Sequence, residues 1–251
     1  MKIIKAGYSV ISPDLDDPIT ERRVYWNLEH AGRTCYKSQE KPGSYEEKFQ
    51  RSADFVRMLR QNGHEAMLEH FSMSVIFTVD RGVSHELVRH RIASFAQEST
   101  RYCNYSQDKF SNEITVIEPV WFMDIPKERK EEILGVLDGA YMDIPMNFTD
   151  HERAYARWYD ACRYSETEYF NLLELGCTPQ EARAVLPNSL KTEIVVTANM
   201  REWRHILNLR AAGITGKPHP QMLEVTVPLL EELRQKLPAL FEDIVYRDND
   251  V

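Results

Sequence analysis

Cysteine is scarce and scattered in this chain. The four present, Cys35, Cys103, Cys162 and Cys177, include no CxxC pair. That excludes a disulfide framework and a cysteine-rich metal site, and implies reduced thiols in a cytoplasm. No run approaches the ~18 consecutive apolar residues of a membrane span. Met1-Lys2-Ile3-Ile4-Lys5 has no signal-peptide apolar region. Ten Gly and 12 Pro are too few for a linker-rich or low-complexity protein. Positive charge is also short: 31 Lys plus Arg against 39 Asp plus Glu give −8. Non-specific nucleic-acid binding is disfavoured, and an anion site must gather its cations locally. GxGxxG, GxxxxGK[ST] and GxSxG are all missing, which leaves Rossmann, P-loop and α/β-hydrolase sites unsupported.

What is present is a 251-residue chain, 43% hydrophobic and 28% charged, long enough to bury a sizeable core without staples. Ile and Val mark a strand over 2–11. Asp17-Pro18 opens a helix that Gly32 closes, and Ser44-Tyr45-Glu46-Glu47 is a capping box for a second one, ended by Gly63. Alternation over 71–79 gives a half-buried strand. A helix starting near Ser84 carries the chain into Arg89-His90-Arg91, and 114–120 reads as a short strand. Pro126 opens a helix with Ile133, Leu134, Leu137 and Tyr141 on its face. Capping boxes at Thr149 and Thr178 start two more, the first running to Gly176. A β-branched strand over 191–198 precedes a helix through Trp203 and Leu207. A last helix near 221–237 is expected to kink at Pro228. With no repeat, linker or composition shift, the expectation is one α+β domain over 1–251. Strands from both halves join one mixed or antiparallel sheet flanked by helices.

The densest polar run is Arg89-His90-Arg91-Ile92-Ala93-Ser94-Phe95-Ala96-Gln97-Glu98-Ser99-Thr100-Arg101-Tyr102. Arg forks bind phosphate bidentately, and Ser and Gln offer shorter hydrogen bonds to a ring or sugar. This reads as an anion site with a ring-recognising floor, against the plainer reading of a solvated basic turn. Arg183, Arg201, Arg204, His205 and Arg210 form a second basic group, and two clusters just beyond strand ends can converge at one end of a shared sheet. His64 and His70 lie six apart, not four as in HExxH, so no metal site is expected. Composition and spacing lead to a small, phosphorylated, ring-bearing ligand.

The pattern of Arg89, His90, Arg91, Ser94, Ser99, Arg101 and Tyr102 resembles the RHRxxSxxxxSxRY signature of flavin-dependent thymidylate synthases. Gly63-His64-Glu65 with Glu69-His70 resembles the family's upstream segment. Ala182-Arg183 with Leu186-Pro187, and Asn199, Arg201, His205 and Arg210, resemble its downstream segments. The resemblance implies a cytoplasmic homotetramer of α+β subunits with active sites at subunit interfaces. Its members convert dUMP to dTMP with 5,10-methylenetetrahydrofolate and reduced FAD, which NADPH regenerates. By matched position His64, Arg89, His90, Arg91, Asn199, His205 and His219 would contact FAD. Glu86, Gln97, Ser99, Arg101, Arg183 and Arg210 would hold dUMP, with Arg210 and Ser99 nearest the chemistry. Arg101 and Arg183 suit the phosphate, Arg210 the uracil edge. Reduced flavin rather than Cys103 is expected to start the reaction. Two other classes stay open at this point: an RNA-binding protein using Arg89-His90-Arg91 and its aromatics, and a flavoprotein without this reaction. A flavin absorbance band excludes the first, and dUMP-dependent oxidation separates the second.

Overall fold

A computed structural model describes residues 1–107, 112–137 and 147–246. The predicted Tyr141 position lies outside the described residues. The chain forms two compact units, each assembled from separated stretches. The first comprises Met1–Ala6, Thr78–His85 and Gln97–Glu193, the second Gly7–Phe77, Glu86–Ala96 and Ile194–Val251.

The second unit holds most of a four-stranded sheet of order β2-β3-β6-β4, with β2 Gly7–Ser12, β3 Ser72–Asp80, β4 Ala93–Gln97 and β6 Lys191–Asn199. β3 and β6 are antiparallel. The Met200 amide donates to Phe71 O, the Ser74 and Thr197 hydroxyls meet at 2.8 Å, and the Arg81 amide donates to Asn188 O. Partner numbers thus fall on one strand as they rise on the other. Met73, Val75, Phe77 and Val79 point inward on β3, and Thr192, Ile194, Val196 and Ala198 on β6, the period of two that the alternating residues dictate. Helices α1 (Thr20–Tyr36), α2 (Tyr45–Gln61), α7 (Met200–Arg210), α8 (Pro220–Lys236) and α9 (Pro238–Phe241) cover this unit. Their apolar stripes bury Val24, Tyr25, Leu28, Val56, Leu59, Trp203, Leu207 and Leu233. Trp203 satisfies its indole by donating to Met73 O at 2.9 Å, as a buried ring N–H requires.

The first unit contains a parallel pair, β1 (Lys2–Ile4) with β5 (Thr115–Ile117), in register Lys2↔Thr115 through Ile4↔Ile117. It also holds residues 81–85 of α3 (Arg81–Leu87), and α4 (Lys127–Leu137), α5 (Asp150–Glu174) and α6 (Pro179–Ala182). α5 lies over two apolar clusters, one around Tyr105, Ile114, Cys162 and Tyr169, the other around Phe122, Ile133, Phe148 and Tyr155.

The capping boxes at Ser44, Thr149 and Thr178 all form, because each needs only residues three apart. Other expectations are corrected. The first strand is two, broken at Lys5-Ala6, and the pair β1–β5 is a separate sheet. α1 starts at Thr20 behind Ile19, with no side-chain cap, and runs past Gly32 to Tyr36. Gly32 is a close-approach position rather than a stop: a Cβ there would stand 2.6 Å from the Phe55 ring. The helix after β3 ends at Leu87, short of Arg89. Residues 114–120 form the three-residue β5 and then a 3-10 turn, Val120–Phe122. The final helix, expected near 221–237, spans Pro220–Lys236 with Pro228 inside it.

Candidate active site

α7 is the framework of the site in the second unit. Its N-cap Asn199 accepts from the Glu202 amide at 2.9 Å, which fixes where the helix starts and which residues face inward. Glu202, His205 and Arg210 lie along it. Glu86 lies in the last turn of α3, and His90 in the turn that follows it. Arg210 Nη1 donates to Glu86 Oε2 at 2.7 Å, Nη2 to Glu86 O at 3.3 Å, and Nε to His90 Nε2 at 3.1 Å. The Arg210 carbonyl accepts from Thr226 Oγ1 at 2.7 Å, anchoring the helix end on α8.

His90 and Glu202 are buried, and His205 is exposed. The His90 and His205 rings meet edge to face, 5.9 Å between centroids. Burial, then the Arg210 charge, then His205, holds the His90 pKa down at about 4, so its ring is neutral at pH 7. Burial raises the Glu202 carboxyl above its ordinary value, with His205 and Arg201 opposing. Beside these residues a cavity of about 350 Å³ is lined by Glu65, Ile92, Asn199, Glu202, His205 and Asn208. Arg89 and Arg91 are exposed. His64 is exposed with Nδ1 3.0 Å from the Tyr36 hydroxyl. His219 is the N-cap of α8, its Nδ1 accepting from the Gln221 amide at 3.3 Å.

The first unit has its own polar group. Arg183 Nη1 donates to Thr100 Oγ1 at 3.2 Å. Both line a cavity of about 260 Å³ with Arg81, His85, Pro187 and Asn188. Gln97 Nε2 donates to Ser84 Oγ at 2.9 Å and Thr192 Oγ1 at 3.2 Å. Its nitrogen is thereby committed inside the protein, and its carbonyl oxygen is the end left for a ligand. Ser99 Oγ accepts from the Arg101 amide at 3.3 Å, and Arg101 is exposed, its guanidinium 5.5 Å from the Tyr102 ring.

The predicted residues therefore fall into two sets: Gln97, Ser99, Arg101 and Arg183 in the first unit, and His64, Glu86, Arg89, His90, Arg91, Asn199, His205, Arg210 and His219 in the second. Two members of the predicted basic group, Arg201 and Arg204, line the cavity beside Asn199 and His205 with their charges already paired. Arg204 is buried, donating to Leu240 O and forming a bidentate pair with Asp243. Arg201 pairs with Glu65 and Glu69. Arg81, Thr100 and Glu202 were not anticipated. A strand-end position marks Arg81, while Glu202 lies at an unassigned place between Asn199 and His205.

The profile of the Thy1 family, described as thymidylate synthase complementing protein, matches residues 25–239. Flavin-dependent thymidylate synthases of Corynebacterium efficiens and Corynebacterium aurimucosum are 33% and 34% identical to it, each match covering 86% of this chain and 78% of the relative. That of Mycobacterium marinum is 32% identical with the same coverage. Among solved structures, the UMP/dUMP methylase PolB from Streptomyces cacaoi, bound with 5-Br UMP, shares the fold. The TM-score is 0.67 at 19% identity, covering 96% of this chain and 95% of that one.

Proposed function

This chain belongs to the Thy1 family of flavin-dependent thymidylate synthases, and on that premise we propose the reaction in detail: it methylates dUMP to dTMP, with 5,10-methylenetetrahydrofolate as carbon donor and NADPH as reductant. The observation that carries the proposal is the Arg210 guanidinium held by Glu86 and His90 at 2.7 and 3.1 Å. Such a partly buried, hydrogen-bonded cation suits a uracil edge on which negative charge develops. Arg101 and Arg183 take the phosphate, Gln97 and Ser99 bond to the nucleoside, and Glu86 keeps Arg210 aimed.

The residues fit a flavin. Among the described residues Arg89 and Arg91 form no ion pair, so their charges are available to a diphosphate. The cavity beside Asn199 and His205 takes part of a planar ring. His64, Arg89, His90, Arg91, Asn199, His205 and His219 would hold FAD, which supplies the hydride when bound. Neutral His90 offers this group an uncharged edge, while the Arg side chains carry the charge complementarity. Residues 1–251 act as one catalytic domain. The working form is a cytoplasmic homotetramer with active sites at subunit interfaces. No helix of the described residues is long and apolar enough to cross a membrane.

The test is dTMP formation from dUMP with methylenetetrahydrofolate, NADPH and FAD. Product that depends on all four supports the reading. A flavin-loaded, folded protein that yields none removes it.

A further inference from the structure

Arginine has donors and no acceptor. The contact from Arg210 Nε to His90 Nε2 therefore requires a lone pair on Nε2. His90 is neutral, so its one ring proton lies on Nδ1. Nδ1 faces Glu202 Oε1 at 3.6 Å, longer than a hydrogen bond but within range of a directed charge–dipole attraction. His90 is 5% exposed and Glu202 7%. A buried carboxylate is costly without a partner, and among the described residues His90 is the one side chain within ion-pair range of Glu202.

We infer that Glu202 is a positioning residue: it holds His90 in the Nδ1–H tautomer, and His90 in turn aims the Arg210 guanidinium. The inference rests on the proposed role of Arg210 in dTMP formation. One helix carries both ends of the relay, since Glu202 and Arg210 both lie on α7, and the Asn199 cap sets the helix start. His90 closes the path between them. Ligand atoms of His90, Glu202 and His205 also lie within 4.8 Å of one another, which invites a metal reading. The chemistry opposes it: the His90 lone pair already serves Arg210, and a bound cation would sit against that guanidinium.

The test uses the full-length protein labelled with 15N-histidine, the His90 signals assigned by their loss in His90→Gln. Wild type should show a protonated Nδ1 and an unprotonated Nε2. Glu202→Gln keeps an acceptor oxygen, and should retain that tautomer with kcat within about threefold. Glu202→Leu should shift the proton to Nε2 and lower kcat on the order of tenfold or more, with the dUMP KM nearly unchanged. A protonated Nε2 in wild type overturns the inference. So does an unchanged tautomer in Glu202→Leu, or equal losses in the Gln and Leu variants. If wild type makes no dTMP, the proposed function fails, and the tautomer measurements still decide the role of Glu202.

Discussion

Arg210 Nε donates to His90 Nε2 across 3.1 Å, which sets a permanently charged guanidinium against a neutral imidazole. A protonated His90 would present N–H to N–H. The site thus excludes its own second charge, and Arg210 remains the single cation of this group.

Arg210→Ala should lower dTMP formation on the order of a thousandfold. The protein should stay folded and largely flavin-loaded, since the Arg210 side chain is only partly buried. Steady-state turnover, with a thermal melt as the folding control, checks this. Near-normal turnover would remove Arg210 from the active site.

Arg183→Ala should weaken dUMP binding far more than deoxyuridine binding, because a charge-assisted phosphate contact is lost. Calorimetry with both ligands reads the difference. Equal losses would show that Arg183 does not hold the phosphate.

The cysteines should be dispensable for chemistry. A thiolate nucleophile needs a lowered pKa, whereas burial pushes the Cys162 thiol up to about 11. A variant with Cys35, Cys103, Cys162 and Cys177 all replaced by Ala should still make dTMP, at some cost in stability from the core position Cys162. Ser99→Ala should be slowed yet active. A covalent dUMP adduct mapped to Cys103 would contradict this.

Stability should fall on acidification in a window set by His90. Its folded pKa, about 4, lies below the ordinary 6.5. As pH drops through 6.5 the unfolded chain takes up the proton first, so stability declines until about pH 4 and then levels. Arg210, His205 and Glu202 are the charged or titratable groups facing this ring. Denaturation midpoints of wild type and His90→Gln, measured from pH 7.5 to 4, should converge toward the acid end. Parallel curves would place the titration elsewhere.

Trp203→Ala should destabilise the protein by about 3–5 kcal/mol. The ring is fully buried, packs on Phe77 and satisfies the Met73 carbonyl. Chemical denaturation measures the loss. A change below about 1 kcal/mol would mean that the core collapses around the site.

Local signals were the legible ones. Three capping boxes, the period-two run of β3 and the β-branched run of β6 depend on residues a few positions apart, and each stands within a residue of where it was read. The run Arg89 to Tyr102 stood out as a candidate site because its residue types are unusual for an acidic chain. The strand inside it was not: Ala93-Ser94-Phe95-Ala96-Gln97 is half-exposed and weakly patterned, so only pairing with β6 reveals it. The break at Lys5-Ala6 is equally silent locally. That Arg201 and Arg204 are ion-paired was not legible, because their partners, Glu65, Glu69 and Asp243, are distant in sequence. Glu202 was missed for the same reason, since its meaning depends on His90.

The interleaving of the two units has a consequence for biosynthesis. Residues 7–77 leave the ribosome early, yet the unit they belong to also requires 194–251, which bring Trp203, Leu207 and Leu233 to its core. Helices α1 and α2 can pack on each other early, but the face of α2 that meets α9 stays uncovered until residues 238–241 are made. Vectorial folding cannot finish this half piecewise, and the nascent chain depends on delayed, long-range closure.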